Sequence, residues 1–225
     1  MKNRDYKIFA PDTFHHVYNR GNGKMDIFRD AQDFLNFYKR LNLVLGIQQG
    51  ASLCCTRMPL VGNMPLVGNT LRIHALPKDA FSILSHCLMP NHFHFLIRQN
   101  SDIPISSLIS KLCISYSMYF NKKYDHVGGL FQDQFKSILV DNDQYLLWLS
   151  AYIHQNPFVA GIVKNLIDYP YSSYPDYCGL RDGKITDKNL ILGMMDNSPE
   201  KYQSFVLQSF NKIKQQKNLE HFFLD

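Results

Sequence analysis

The sequence predicts an α+β fold in which one antiparallel sheet carries two helices on a face. Three observations predict it. Apolar alternation with β-branched and aromatic residues marks four strands. Three-and-four apolar spacing marks the helices between them. Their order is strand, helix, strand, strand, helix, strand, the split βαββαβ arrangement of a ferredoxin-like sandwich. With 225 residues, 45% of them apolar and 19% charged, the chain is long enough to bury a substantial core.

"TFHHVYNR" (13–20) alternates and stops at Gly21, as a first strand should. "DAQDFLNFYKRLNLVLGIQ" places Phe34, Phe37, Leu41, Val44 and Leu45 on one stripe, which predicts an amphipathic helix over 30–48. The hexapeptide MPLVGN then occurs twice in tandem, at 58–63 and 64–69. Two copies are too few for a solenoid, so they read as a loop insertion near 50–78, with a β-hairpin as the second choice. "AFSILSHCLM" (80–89), the turn Pro90-Asn91 and "HFHFLIRQ" (92–99) form a hairpin. A cap at Ser101 or Asp102 and Pro104 in the first turn open a second helix. Its stripe is Ile105, Leu108, Leu112, Tyr116, Tyr119 and Phe120. "FKSILVD" (135–141) is the fourth strand. "NDQYLLWLSAYIHQNP" is a further helix that Pro157 should end. "DYPYSSYPDYCG" is a loop, and 185–225 contain one or two short basic helices, giving a C-terminal helical extension.

A net charge of +5 is mild, compatible with a polyanionic partner without requiring one. The five cysteines show no CxxC spacing, so a thiolate zinc site is not expected. The start of the chain lacks a signal-peptide pattern, and no apolar stretch is long enough to span a bilayer. A reduced, cytoplasmic protein with no membrane partner is the simplest expectation.

The chemistry concentrates in "CLMPNHFHFLIRQ". His92 and His94 point to one face because side chains alternate along a strand, while Phe93 anchors the other face. Two imidazoles inside an apolar run need partners, since an unpaired buried polar group costs about 1–3 kcal/mol. A divalent metal, a hydrogen bond in a purely structural role and a part in a reaction are the three answers. A third ligand would come from Asn121 or from His86 across the hairpin. No HExxH or HxHxDH run accompanies the pair, which argues against the zinc hydrolases that carry those patterns. Tyr116 and Tyr119, read alone, are core aromatics. If the second helix packs over the histidines, the pair and a tyrosine meet. A tyrosine nucleophile needs such help, because its ordinary pKa is about 10.

Four blocks together, "HHVYNRG", "HCLMPNHFHFLI", "SYSMYFNKKYDHVGGLFQDQFKSILV" and "YIHQNPFVAGIV…DYPYSSY", resemble the REP-associated tyrosine transposases of the single-tyrosine HUH superfamily. They stand in that family's order and cover roughly 10–180. The resemblance implies a transposase domain over 1–180 and a helical tail over 181–225. It implies a metal-dependent enzyme that cleaves and rejoins hairpin-forming single-stranded DNA through a covalent 5′-phosphotyrosine, leaving a free 3′-hydroxyl. His92 and His94 match the HUH pair and would bind Mg²⁺ or Mn²⁺, with Asn121 a candidate third group. Tyr116 matches the tyrosine of a "Y-x-x-x-F-N" block and is the first candidate nucleophile, with Tyr119 second. Arg20, Lys122, Lys123 and Lys136 are candidate phosphate contacts. The family basic residue in "LFQ-x-R-F" is Gln134 here, and the MPLVGN insert has no counterpart in the family pattern. The same resemblance leaves monomer and homodimer open and places the protein at the nucleoid. Two other classes compete with this reading. One is a catalytically silent DNA-hairpin-binding protein with structural histidines, the other a phosphodiesterase that attacks with water.

Overall fold

The computed structural model describes residues 9–47 and 73–215. Four antiparallel strands form its sheet: β1 (Thr13–Arg20), β2 (Phe81–Met89), β3 (His92–Gln99) and β4 (Lys136–Val140), in the spatial order β2-β3-β1-β4. That order places β3 beside β1 at the centre, as the βαββαβ reading requires. The tandem MPLVGN copies and the end of the tail lie outside the described residues.

Helices α1 (Ala31–Val44) and α2 (Ile105–Tyr124) connect β1 to β2 and β3 to β4. They pack against each other and cover one face of the sheet. Right-handed crossovers place both on the same side. Phe93, Phe95 and Ile97 of β3 face them, together with Val17 of β1, Phe37 and Leu41 of α1, and Leu112, Tyr116 and Phe120 of α2. Each of these is essentially fully buried, and burying one such side chain is worth about 1.5–3 kcal/mol.

The opposite face is covered as well. Helix α3 (Asp143–Val159) lies over β2 and β3, followed by the short α4 (Tyr174–Tyr177) and α5 (Asn189–Gly193) and then α6 (Pro199–Gln215). Leu96, Cys87 and Met89 of the sheet share this second core with Leu149, Tyr152 and Ile153 of α3 and with Tyr202 and Val206 of α6. A sheet covered on both faces explains why β2 and β3 read as apolar runs rather than clean alternation.

Several boundaries differ from expectation. Helix α1 ends at Val44, because Gly46 turns the chain with a φ of 69°. The N-cap of α2 is Pro104, neither Ser101 nor Asp102. The first helical N–H, that of Ile105, instead donates to the Gln99 side chain of β3 (3.3 Å). Pro157 does not end α3, which runs on to Val159. Proline removes the donor that would meet the Ile153 carbonyl, and the Asn156 side-chain amide supplies one at 3.3 Å.

Candidate active site

Period-two alternation decides which residues meet. Pairing sets Tyr18 opposite His94 and Arg20 opposite His92, and His16 opposite Leu96. His16, Tyr18 and Arg20 of β1 therefore share a face with His92 and His94 of β3. Lys136 of β4, opposite Tyr18, joins the same face, its Nζ 6.0 Å from the centre of that ring. This is the face under α3. The Tyr152 ring lies edge-on to His94 and His16, with centroids 6.0 and 6.3 Å apart. Tyr152 in turn stacks on Trp148 of the preceding turn (5.7 Å).

The turn before His92 is held firmly. The Pro90 carbonyl accepts from the Ile27 and Phe28 amides (2.8 and 2.9 Å), and the Asn91 carbonyl accepts from Gly21 (2.8 Å). Gly21 is required here, since a Cβ would sit 2.2 Å from the Met25 carbonyl oxygen. Asn91 also donates its side-chain amide to the Lys24 carbonyl (3.3 Å), and its Oδ1 lies 2.6 Å from His92 Nδ1. His92 is thereby oriented through Nδ1. His94 is oriented in the same way, its Nδ1 2.9 Å from Nε2 of the buried His16. The two candidate ligands stand perpendicular, 5.0 Å between ring centres.

Burial, and then the Arg20 charge, push the His92 imidazole down to about 4. His94 is held well below the ordinary histidine range by burial, with His92, His16 and Arg20 adding to it. Both rings are therefore neutral near pH 7, the form that offers a lone pair to a metal. His94 Nε2 is buried and has no hydrogen-bond partner among the described residues. A cation is the natural partner for such an atom, so this donor set fits the implied metal. Among the described residues no group of three His, Cys, Asp or Glu is assembled.

The expectation that the second helix brings its tyrosines to the histidines is not met. Helix α2 covers the other face of the sheet, and Tyr116 is fully buried there. Its hydroxyl donates to the Ile27 carbonyl at 2.5 Å, and burial, with the Asp33 charge adding, pushes its ionisation far up. Tyr119 donates to Asp33 (2.9 Å) and is likewise pushed up by burial and Asp33. Lys123 is tied to Asp30 and Asp33, both at 2.7 Å, while Lys122 is exposed on the same helix. The Asn121 amide is engaged by the Gly128 carbonyl and His126 in the turn after α2. His86, the other suggested third ligand, spends both ring nitrogens on Tyr38 (3.0 Å) and Thr186 (3.2 Å). Of the expected site residues, the structure brings together His92, His94, Arg20 and Lys136. It adds His16, Tyr18 and Tyr152. Tyr152 opens the "YIHQNP" block, which carries part of the family resemblance, but no role was assigned to that tyrosine from the sequence.

Residues 69–156 match the model of the family described as Transposase IS200 like. Over that stretch, less than half of the chain, the sequence is similar to that family. The matched span holds both histidines and Tyr152, whereas Tyr18 lies outside it. A curated relative from Haemophilus influenzae, provisionally named a REP-associated tyrosine transposase, is 29% identical over 106 residues, covering 42% of this chain. The chain matches 59% of that relative's length. A solved structure described as a REP-associated tyrosine transposase bound to a REP hairpin shares the fold, with a TM-score of 0.50 and 15% identity over 77% of this chain and 83% of the other. The fold and the family resemblance drawn from the sequence are thus matched. Among the described residues no helix is long and apolar enough to cross a membrane.

Proposed function

We propose that the protein is a single-tyrosine DNA strand transferase acting on hairpin-bearing single-stranded DNA, with Tyr152 as nucleophile in place of Tyr116. The observation that carries this reading is the convergence, on one sheet face, of two oriented neutral imidazoles, a buried arginine and a helix-borne tyrosine. Tyr18 is also close to His94 (5.8 Å). It stands mid-strand and lies outside the span matched by the family.

His92 and His94 would hold a divalent ion, Mn²⁺ suiting imidazole nitrogen better than Mg²⁺. When bound, that ion supplies Lewis-acid polarisation of the scissile phosphate. Arg20, only 9% exposed and with its Nε lacking a partner among the described residues, would neutralise charge building on the same phosphate. Lys136 on the adjacent strand is exposed and suits a neighbouring phosphate. Tyr152 forms the new O–P bond as the bond from phosphorus to the 3′ oxygen breaks. The phenol proton is balanced by the proton gained on the 3′-hydroxyl. The phosphodiester energy is kept in the phosphotyrosine, so rejoining needs no nucleotide cofactor.

The test is a denaturing gel of 5′- and 3′-labelled hairpin-tailed single-stranded DNA incubated with protein and Mn²⁺. A protein-linked band in the wild type supports the reading. Free cleaved DNA without that band favours attack by water, and tight hairpin binding with neither product makes the protein a silent binder.

A further inference from the structure

Resting on the reading of His94 as a metal ligand, we infer that His16 is a positioning residue that fixes the tautomer and ring orientation of His94. His16 and His94 form a hydrogen-bonded pair of imidazoles, Nε2 to Nδ1 at 2.9 Å, both essentially fully buried. Their outer nitrogens, His16 Nδ1 and His94 Nε2, have no partner among the described residues. Only one proton lies between the two rings, so two arrangements exist. If His16 donates, His94 carries its proton on Nε2, pointing a bare N–H into the site where a cation would sit. If His94 donates, its Nε2 presents a lone pair, and a cation satisfies it. The second arrangement is the one a metal ligand requires, and His16 as acceptor holds it before any metal arrives. A neutral hydrogen-bond acceptor behind the ligand also raises its basicity and holds the ring in place.

His16 is not free to act elsewhere. Its ring is packed between Tyr18 (4.9 Å) and Tyr152 (6.3 Å) and lies 18° from the plane of His94. Asn91 does the same for His92 from the turn, so each candidate ligand has its own Nδ1 acceptor. No sequence spacing links His16 to His94. The β1–β3 register alone brings them together.

The experiment measures Mn²⁺ affinity of the DNA-free protein by the electron paramagnetic resonance of unbound Mn²⁺. Wild type, His94→Ala, His16→Leu and His16→Gln are compared. Glutamine keeps an acceptor near the position of His16 Nε2, whereas leucine keeps only volume. Expected is a 10–100-fold weaker affinity for His16→Leu, largely restored in His16→Gln, with His94→Ala losing the site. Affinity unchanged in His16→Leu overturns the inference while leaving the metal reading intact, as does an equal loss in both His16 variants. Absence of a His94-dependent site in the wild type removes the metal reading and this inference with it. Should His16→Leu fail to fold, the ¹⁵N ring shifts of metal-free wild type decide: a proton on His94 Nδ1 is expected, and one on Nε2 contradicts the assignment.

Discussion

The two faces of the sheet use the same residue types for different ends. Beneath α1 and α2, the tyrosines and charges are closed on one another. Tyr116 reaches the Ile27 carbonyl, and Tyr119, Tyr124 and Lys123 all converge on the fully buried Asp33. Beneath α3, three buried nitrogens (on His16, His94 and Arg20) lack partners among the described residues. A polar group closed within the fold serves stability. One left open at high desolvation cost is a candidate for binding a ligand.

The largest expected effect that sharpens this contrast is loss of cleavage. Tyr152→Phe should abolish the covalent DNA adduct, and His92→Ala should do the same through lost Mn²⁺ binding. Adduct formation that survives in Tyr152→Phe and fails in Tyr18→Phe would move the nucleophile onto β1. Second, Asp33→Ala leaves Lys123 and two tyrosines without their shared acceptor. Lys123 keeps Asp30, so the loss is that of the tyrosines' buried acceptor, about 1–3 kcal/mol, read as a lowered midpoint in urea. The adduct per folded molecule should be unchanged. Third, Tyr116→Phe removes the donor to the Ile27 carbonyl and should cost about 1–3 kcal/mol while adduct formation persists.

A smaller effect concerns pH. Burial, and then the Arg181 charge, hold His86 down to about 3, between Tyr38 and Thr186. The unfolded chain takes up a proton near 6.5 that the folded protein refuses, so the unfolded state binds more protons below that pH. The stability from neutral His86 is complete above pH 6.5 and is lost progressively as pH falls toward 3. Urea midpoints measured from pH 7 to 4 should decline, and His86→Gln should flatten that decline. A midpoint that rises on acidification would break the assignment of His86 as a neutral, structural histidine.

The sheet was legible in the sequence because period-two alternation is a local property. The β1 and β3 limits, and the shared face of His92 and His94, follow from it directly. Phe93, between them, already pointed to an apolar layer on the opposite side. What local periodicity cannot give is which helix covers which face. That depends on crossover handedness: two right-handed crossovers place α1 and α2 together over Phe93 and Phe95, so the histidines turn toward whatever follows β4. Tyr116 looked attractive because it fits the "Y-x-x-x-F-N" block and its helix comes next after the histidines. Tyr152 looked like one more apolar position in a helix whose surfaces are mostly buried. His16 was invisible as a site residue because its partner is 78 positions away and only strand register joins them.

The most direct test of the account is to trap the covalent adduct of the wild-type protein with hairpin-tailed DNA, digest both components, and map the modified residue by mass spectrometry. A nucleotide phosphate on Tyr152 is expected, in the peptide following Lys136 and ending at Lys164. A phosphate on Tyr116 or Tyr119 would contradict it, because it would require chemistry on the face of the sheet that lies away from His92 and His94.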